Sequence, residues 1–311
     1  MKYIKTLHEG ENISAVYLCK NKTVATTKNG KTYYSVTLQD KTATIDGKIW
    51  ELSNAIAHFE KSDFIYIDAF VTSYNDNLQL NIKRVRVADE GEYDPADYMK
   101  VSERNNSEMY AELLKMVDTV KEEHLRALLQ EFFVNDKEFI HKFKSHSAAK
   151  AIHHSFVGGL MQHSLSVAGI CDYLAGSFPI INRDLLVTAA LLHDVGKVDE
   201  ISDFPTNDYT DDGQLMGHIV MGAFMVKERA DAIEGFPPVL KSELVHCILA
   251  HHGELEYGSP KKPSIIEAVA LSMADNTDAK LESFTEILEG TKEKGDWLGF
   301  NKLFDSNLRK S

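Results

Sequence analysis

His193 and Asp194 stand side by side at the polar end of an apolar run, in Leu191-Leu192-His193-Asp194-Val195-Gly196-Lys197. Imidazole and carboxylate are the side chains that hold divalent transition metals, so the doublet points to metal-assisted hydrolysis of a phosphate ester. Leu185, Leu186, Val187, Ala189, Ala190, Leu191 and Leu192 predict a helix with Asn182 as its N-cap and Gly196 as its terminator. A helix this apolar is expected to be buried. A His and an Asp in its last turn then cost several kcal/mol unless each is paired or coordinated.

Partners recur along the chain. His163 follows Gly158-Gly159-Leu160-Met161-Gln162 and precedes Leu165, Val167 and Ile170 on an amphipathic helix; His218 opens His218-Ile219-Val220-Met221-Gly222-Ala223-Phe224. His251 and His252 end the apolar run from Val245 to Ala250, and Asp275 lies in Ala268-Val269-Ala270-Leu271-Ser272-Met273-Ala274-Asp275. Ten of the 13 histidines fall between His141 and His252, around the doublet. Any one of them alone reads as a hydrogen-bonded core or cap residue. Jointly they supply ligands for two ions that share one carboxylate. The donor types suit Mn²⁺, Fe²⁺, Co²⁺, Ni²⁺ or Zn²⁺ and argue against all-oxygen Ca²⁺ or Mg²⁺ cages. Two such ions about 4 Å apart acidify a shared water and clamp phosphate oxygens, so no protein nucleophile is required. Lys197, four residues after His193, is expected to face the same way and to neutralise charge developing on the phosphate; its plain alternative is a solvated lysine near a helix end. Upstream, Lys142, Lys144, His146, Lys150, His153 and His154 form a cluster. Lys150, His153 and His154 are candidates for substrate phosphates at the mouth of the site. For the lysines an exposed basic helix end is the competing reading.

The elements that position these residues occupy the second part of the chain. Residues 1–88 instead read as strands at Ile13 to Lys20, Lys31 to Gln39, Thr42 to Trp50 (with a turn at Asp46-Gly47), Phe64 to Tyr74 and Asn77 to Val87. Leu52, Ile56 and Phe59 recur at helical spacing between the third and fourth strands. Five strands with one such helix is the order of an OB-fold barrel. Tyr33, Tyr34, Trp50, Phe64 and Tyr74 are candidate stacking platforms, about half of them required for the barrel core. Lys20, Lys22, Lys28, Lys31, Lys48 and Arg84 are candidate phosphate contacts, and Tyr34, Trp50 and Lys31 are the selected strand-binding residues.

Charge follows the same division. The chain carries 34 basic and 47 acidic residues, a net of −13, the wrong sign for a general nucleic-acid binder. Residues 1–88 hold 12 Lys and Arg against 9 Asp and Glu, so the remainder carries −16. Glu90-Gly91-Glu92-Tyr93-Asp94-Pro95 reads as a linker, followed by helices through Met109 to Val120 and His124 to Phe133. The expected domains are thus 1–88, a connecting region 89–149, and a metal-binding helical domain 150–311. Cys19, Cys171 and Cys247 are unpatterned and read as packing residues. Trp297-Leu298-Gly299-Phe300-Asn301-Lys302-Leu303-Phe304 has helical apolar spacing and is expected to dock as a helix on this domain or on another copy in a homo-oligomer. No run is apolar and long enough to span a bilayer and no signal-type core follows Met1, which predicts a cytoplasmic chain without membrane partners.

Residues 150–280 resemble HD-domain metal-dependent phosphohydrolases, through the Gly158-to-His163 and His193-to-Lys197 segments. Carried over by position, that resemblance implies one metal on His163, His193, Asp194 and Asp275. Asp194 bridges to a second held by His218 and by His251 or His252, which point about 100° apart on a helix. Residues 1–88, through Tyr34-Ser35-Val36-Thr37-Leu38-Gln39-Asp40-Lys41-Thr42 leading to Trp50, resemble OB-folds that bind nucleic acid. The order of the two, a β barrel and then an all-α domain, resembles the YhaM family of bacterial 3′–5′ exoribonucleases. It implies stepwise hydrolysis of single-stranded RNA, and of DNA as a second polymer, to nucleoside 5′-monophosphates with Mn²⁺ or Co²⁺ favoured. Two alternatives stand beside it: an HD phosphohydrolase of small nucleotides, and a single-strand-binding regulatory protein without turnover. No Gly-Tyr-Pro follows His218, which disfavours the cyclic-dinucleotide branch of the first.

Overall fold

A computed structural model describes the chain except for residues 1, 28, 76, 95–96, 99–101, 103, 149–155, 203–204, 207 and 291–294. The described backbone falls into two compact units, Met1–Val101 with Ser202–Asp208, and Ser102–Ile201 with Tyr209–Ser311.

The first unit is a closed barrel of β1 (Asn12–Thr26), β2 (Thr32–Gln39), β3 (Thr44–Ile49), β4 (Phe64–Tyr74) and β5 (Asn77–Val87), in the order β1-β2-β3-β5-β4. All pairs are antiparallel except β3 with β5. Alternation puts Val36, Leu38, Ile45, Ile49, Ile65, Ile67, Leu80 and Ile82 inside. Two local expectations fail. Asp46-Gly47 makes no turn, and β3 runs straight through it in register with β2 and β5. Glycine is needed there for room, because a Cβ would lie 2.6 Å from Ile82 Cδ1 and 3.0 Å from Val36 Cγ2. The helix expected around Leu52, Ile56 and Phe59 is replaced by turns. Ala57 N–H donates to Val85 O and Val85 N–H to Ala55 O, so β5 takes the backbone groups that a helix would have paired internally, and Phe59 is buried in the barrel core.

The barrel unit also extends past the expected boundary at residue 88. Tyr93 stacks on Phe64 with ring centroids 3.9 Å apart, and the buried Tyr98 donates its hydroxyl to Val16 O at 3.1 Å. These aromatic contacts make Tyr93 and Tyr98 a cap on the outer face of β1 and β4.

The second unit is helical: α1 (Asn106–Thr119), α2 (Glu123–Gln130), α3 (Lys137–Ser145), α4 (Gly159–Ser177), α5 (Arg183–Leu192), α6 (Lys197–Glu200), α7 (Asp211–Ala232), α8 (Pro238–Ala250) and α9 (Ile266–Gly290). Asn182 caps α5 through Leu185 N–H at 3.2 Å, and every residue from Leu185 to Leu192 is buried. α5 is therefore the central strut, packed on α2, α4, α8 and α9. The carboxy-terminal docking helix is corrected to a hairpin, β6 (Trp297–Asn301) and β7 (Ser306–Arg309), because Gly299 and Asp305 adopt positive φ values of 83° and 46° that interrupt a right-handed helix. Phe304 packs edge-on against Phe284 of α9 at 5.2 Å. All three cysteines are buried free thiols, and among the described residues no helix is long and apolar enough to cross a membrane.

Candidate metal centre

α5 ends at His193, and the chain turns through Asp194, Val195 and Gly196 into α6. Gly196 does not hold a left-handed terminator conformation; its φ is −66°. What the position requires is the missing side chain, since a Cβ would run into His218 O and Gly222 N of α7. That close approach brings α7 against Asp194. Within α7 the helical path breaks at Gly217, φ 75° and ψ 155°, a conformation reserved for glycine. The break frees the His218 N–H, which donates to Glu200 Oε1 at 2.9 Å. α4 starts at Gly158, also at positive φ (81°), and presents His163 from its second turn.

These elements deliver five imidazoles to two carboxylates. Each imidazole commits its Nδ1–H outward: His163 to Asp278 Oδ2 at 2.6 Å, His193 to Ala190 O at 2.7 Å, and His218 to Glu200 Oε1 at 2.9 Å. His251 donates to Ile248 O at 2.7 Å and His252 to Tyr257 O at 2.8 Å. The five Nε2 atoms face inward, the orientation a metal ligand needs. Asp194, 1% exposed, divides its two oxygens between four of them. Oδ2 lies 3.4 Å from His163 Nε2 and 3.3 Å from His193 Nε2, whereas Oδ1 lies 3.4 Å from His218 Nε2 and 3.6 Å from His251 Nε2. Asp275 Oδ1 joins the first group, 3.1 Å from His163 Nε2.

Two clusters result, His163 with His193 and Asp275, and His218 with His251 and His252, joined by Asp194. Both members of the His251-His252 pair therefore reach the site. Asp194 Oδ1, His218 Nε2 and His251 Nε2 are buried with no hydrogen-bond partner among the described residues. Buried polar atoms without partners are costly, and these converge as ligands to a cation do, so the residues fit a divalent metal. Charge agrees. Burial opposes a proton on His163, yet hydrogen bonds to Asp194, Asp275 and Asp278 raise its pKa well above the usual imidazole range. Burial, reinforced by His252 and His193, holds His251 well below that range.

Lys197 is not a solvated helix-end lysine. Its side chain is 11% exposed and its Nζ donates to Asp194 Oδ2 at 2.6 Å. Residues 149–155, and with them Lys150, His153 and His154, lie outside the described part of the chain. His146 is buried beside the carbonyls of Ser147 and Ile201, at 3.0 and 2.9 Å, and joins neither metal cluster. Two carboxylates were missed from sequence. Asp278 is bonded to His163 and accepts from the Ser166 hydroxyl; Glu200 is bonded to His218. Asp278 had a signal, lying three residues after Asp275 and so on the same side of α9.

On the barrel, the half-buried Tyr33 and the exposed Trp50 form an aromatic pair with centroids 4.6 Å apart. Lys31 is 62% exposed beside them, 3.9 Å from Glu51. Tyr34 faces the core instead, half-buried, edge-on to Phe59 at 6.4 Å with Lys22 Nζ 4.9 Å from its ring centre. Phe64 is buried and Tyr74 exposed.

Comparison with known proteins agrees with this division. An HD domain family matches residues 160–280, and an OB-fold nucleic acid binding domain family matches residues 20–88. The 3′–5′ exoribonuclease YhaM of Geobacillus sp. (strain WCH70) is 31% identical over 287 residues, covering 91% of this chain and 87% of the relative. The protein of the same name from Listeria monocytogenes serovar 1/2a (strain ATCC BAA-679 / EGD-e) is 32% identical over 287 residues, covering 91% and 90%. Among solved structures, the second OB-fold domain of replication protein A from Methanococcus maripaludis matches 29% of this chain and 96% of its own, at 17% identity and a TM-score of 0.24. Identity above 30% along nine-tenths of the sequence, with both domain matches in the same order, makes this chain a member of the YhaM 3′–5′ exoribonuclease family.

Proposed function

We propose that the protein is a metal-dependent exonuclease that removes nucleotides one at a time from the 3′ end of single-stranded RNA, with single-stranded DNA as a second substrate, in the cytoplasm. The observation that carries this reading is the set of five inward Nε2 atoms, four of them divided over the two oxygens of a buried Asp194. His163, His193, Asp194 and Asp275 would hold one ion, and Asp194 with His218, His251 and His252 a second. The mixed nitrogen and oxygen donors suit a divalent transition ion, and the resemblance to the YhaM family makes Mn²⁺ or Co²⁺ the favoured ones. When bound, such a pair acidifies water and neutralises phosphate charge.

The side chains then have the following work. Asp278 and Glu200 fix the rings of His163 and His218. The Lys197 ammonium, already at Asp194, stabilises negative charge that builds on the non-bridging phosphate oxygens. Water oxygen bonds to phosphorus and the bond from phosphorus to the 3′ oxygen of the penultimate nucleotide breaks. A proton passes to that oxygen, which leaves a shortened strand with a 3′ hydroxyl and releases a nucleoside 5′-monophosphate. Tyr33 and Trp50 offer stacking surfaces for bases, with Lys31 for a phosphate.

The test is a denaturing-gel time course on 5′-labelled single-stranded RNA with Mn²⁺ or with chelator, beside the same RNA with a blocked 3′ end. Metal-dependent shortening from the open end alone is the expected result. Intact RNA in every lane, with hydrolysis of mononucleotides instead, overturns it in favour of a small-nucleotide phosphohydrolase.

A further inference from the structure

An open cavity of about 430 Å³, with more apolar than polar surface, lies where α7 and α8 meet the loop that leads to α9. His246 lines it, five residues before His251 and about 140° round the same helix, so the cavity occupies a different face of α8 from the metal ligands. Lys227, Lys241 and Lys261 line it as well, although the chain beyond residue 88 carries 22 basic against 38 acidic residues. Lys227 and Lys241 share one carboxylate: Lys227 Nζ lies 2.5 Å from Asp231 Oδ2, and Lys241 Nζ bonds Oδ1. That carboxylate engages one of the three donors on each ammonium. Lys261 forms no ion pair among the described residues.

His246 Nε2 accepts from Ser264 N–H at 2.9 Å, which places the ring proton on Nδ1 as a donor. Burial, and then the charge of Lys261, lowers its pKa, so the ring is neutral at pH 7. Val245 and Leu249, half-buried against the core, complete an apolar wall. Ammonium groups beside an apolar wall and a flat neutral ring suit a ligand with one anionic group and one aromatic ring. The volume lies in the range of sites for small molecules.

We propose that this cavity is a binding site for a single nucleoside 5′-monophosphate, its phosphate on Lys227, Lys241 and Lys261 and its base against Val245, Leu249 and the His246 ring. Inorganic phosphate would leave the apolar wall unused. The proposal is independent of the exonuclease reading, since the cavity alone selects the ligand; under that reading the ligand is also the product, held on the helix that carries His251.

The test is calorimetric titration of the full chain, in excess EDTA, with 5′-AMP and separately with inorganic phosphate. The variants are Asp194→Asn, Lys261→Glu and Lys241→Gln, each checked for an unchanged thermal midpoint. Expected are saturable AMP binding that survives in Asp194→Asn, weakens at least tenfold in Lys261→Glu, and is at least tenfold tighter than phosphate. Lys241→Gln provides the same reading if Lys261→Glu does not fold. The proposal is overturned by no saturable binding, by binding that is lost in Asp194→Asn and kept in Lys261→Glu, or by phosphate binding as tightly as AMP. Failure of the RNA gel assay leaves all of these outcomes readable.

Discussion

Asp278 decides which way the His163 ring faces: it receives the Nδ1–H at 2.6 Å and is itself held by the Ser166 hydroxyl. Outer carboxylates of this kind typically contribute 10–100-fold to metal affinity. Asp278→Asn, which keeps an acceptor and loses the charge, is expected to weaken binding within that range, read by chelator competition; Asp278→Ala should fall at its lower-affinity limit. Asp194→Asn removes charge from the one residue that faces both clusters. Hydrolysis is expected to fall more than about a hundredfold and bound metal to drop on elemental analysis, with single-strand binding unchanged in a filter assay. The candidate ligands stood out because each interrupts an apolar run, His193, His251 and His252 at a helix end and Asp275 in mid-helix. Asp278 was concealed among other acids on α9. Glu200 gave no signal, because it lies 18 residues from His218 and meets it only through the break at Gly217.

Element by element, the glycines separate what periodicity can read from what packing decides. Gly196 read as a helix stop and Gly47 as a turn, yet both are contact points between backbones and side chains that leave no space for a methyl group. Gly196→Ala forces α7 away from Asp194, and the expected outcome is loss of metal stoichiometry together with a lower thermal midpoint in calorimetry. Gly47→Ala overpacks the barrel against Ile82 and is expected to cost about 1–3 kcal/mol in a urea unfolding curve. β4 and β5 were read to their observed ends, because apolar residues recur on one face through most of each strand and turn residues bound them. The segments at 52–59 and 297–304 misled for one reason: three or four apolar residues at helical spacing also fit a short plug or a hairpin, and pairing partners elsewhere made the choice.

For the molecule as a whole, charge is divided between a basic barrel sequence and an acidic remainder. Single-strand affinity should therefore fall steeply with salt, as phosphate contacts release counterions. Trp50→Ala should weaken binding by about 1–3 kcal/mol, the range for loss of one stacked base, in fluorescence titrations with the Asp194→Asn protein. The two-domain order was legible from the change of period and composition near residue 88; the division by unit was not. The chain leaves the helical unit after Ile201, contributes Ser202–Asp208 to the barrel unit, where Asp208 meets Lys61 at 3.1 Å, and returns at Tyr209. On the ribosome this staggers the completion of the amino-terminal unit. Translation at about 5–20 residues per second brings out the barrel strands first, but the last piece of their unit follows roughly 5–20 s later, behind α1 to α6. The five strands that close the barrel are complete at Val87, so what arrives late is one added segment of the unit, made only after Asp194.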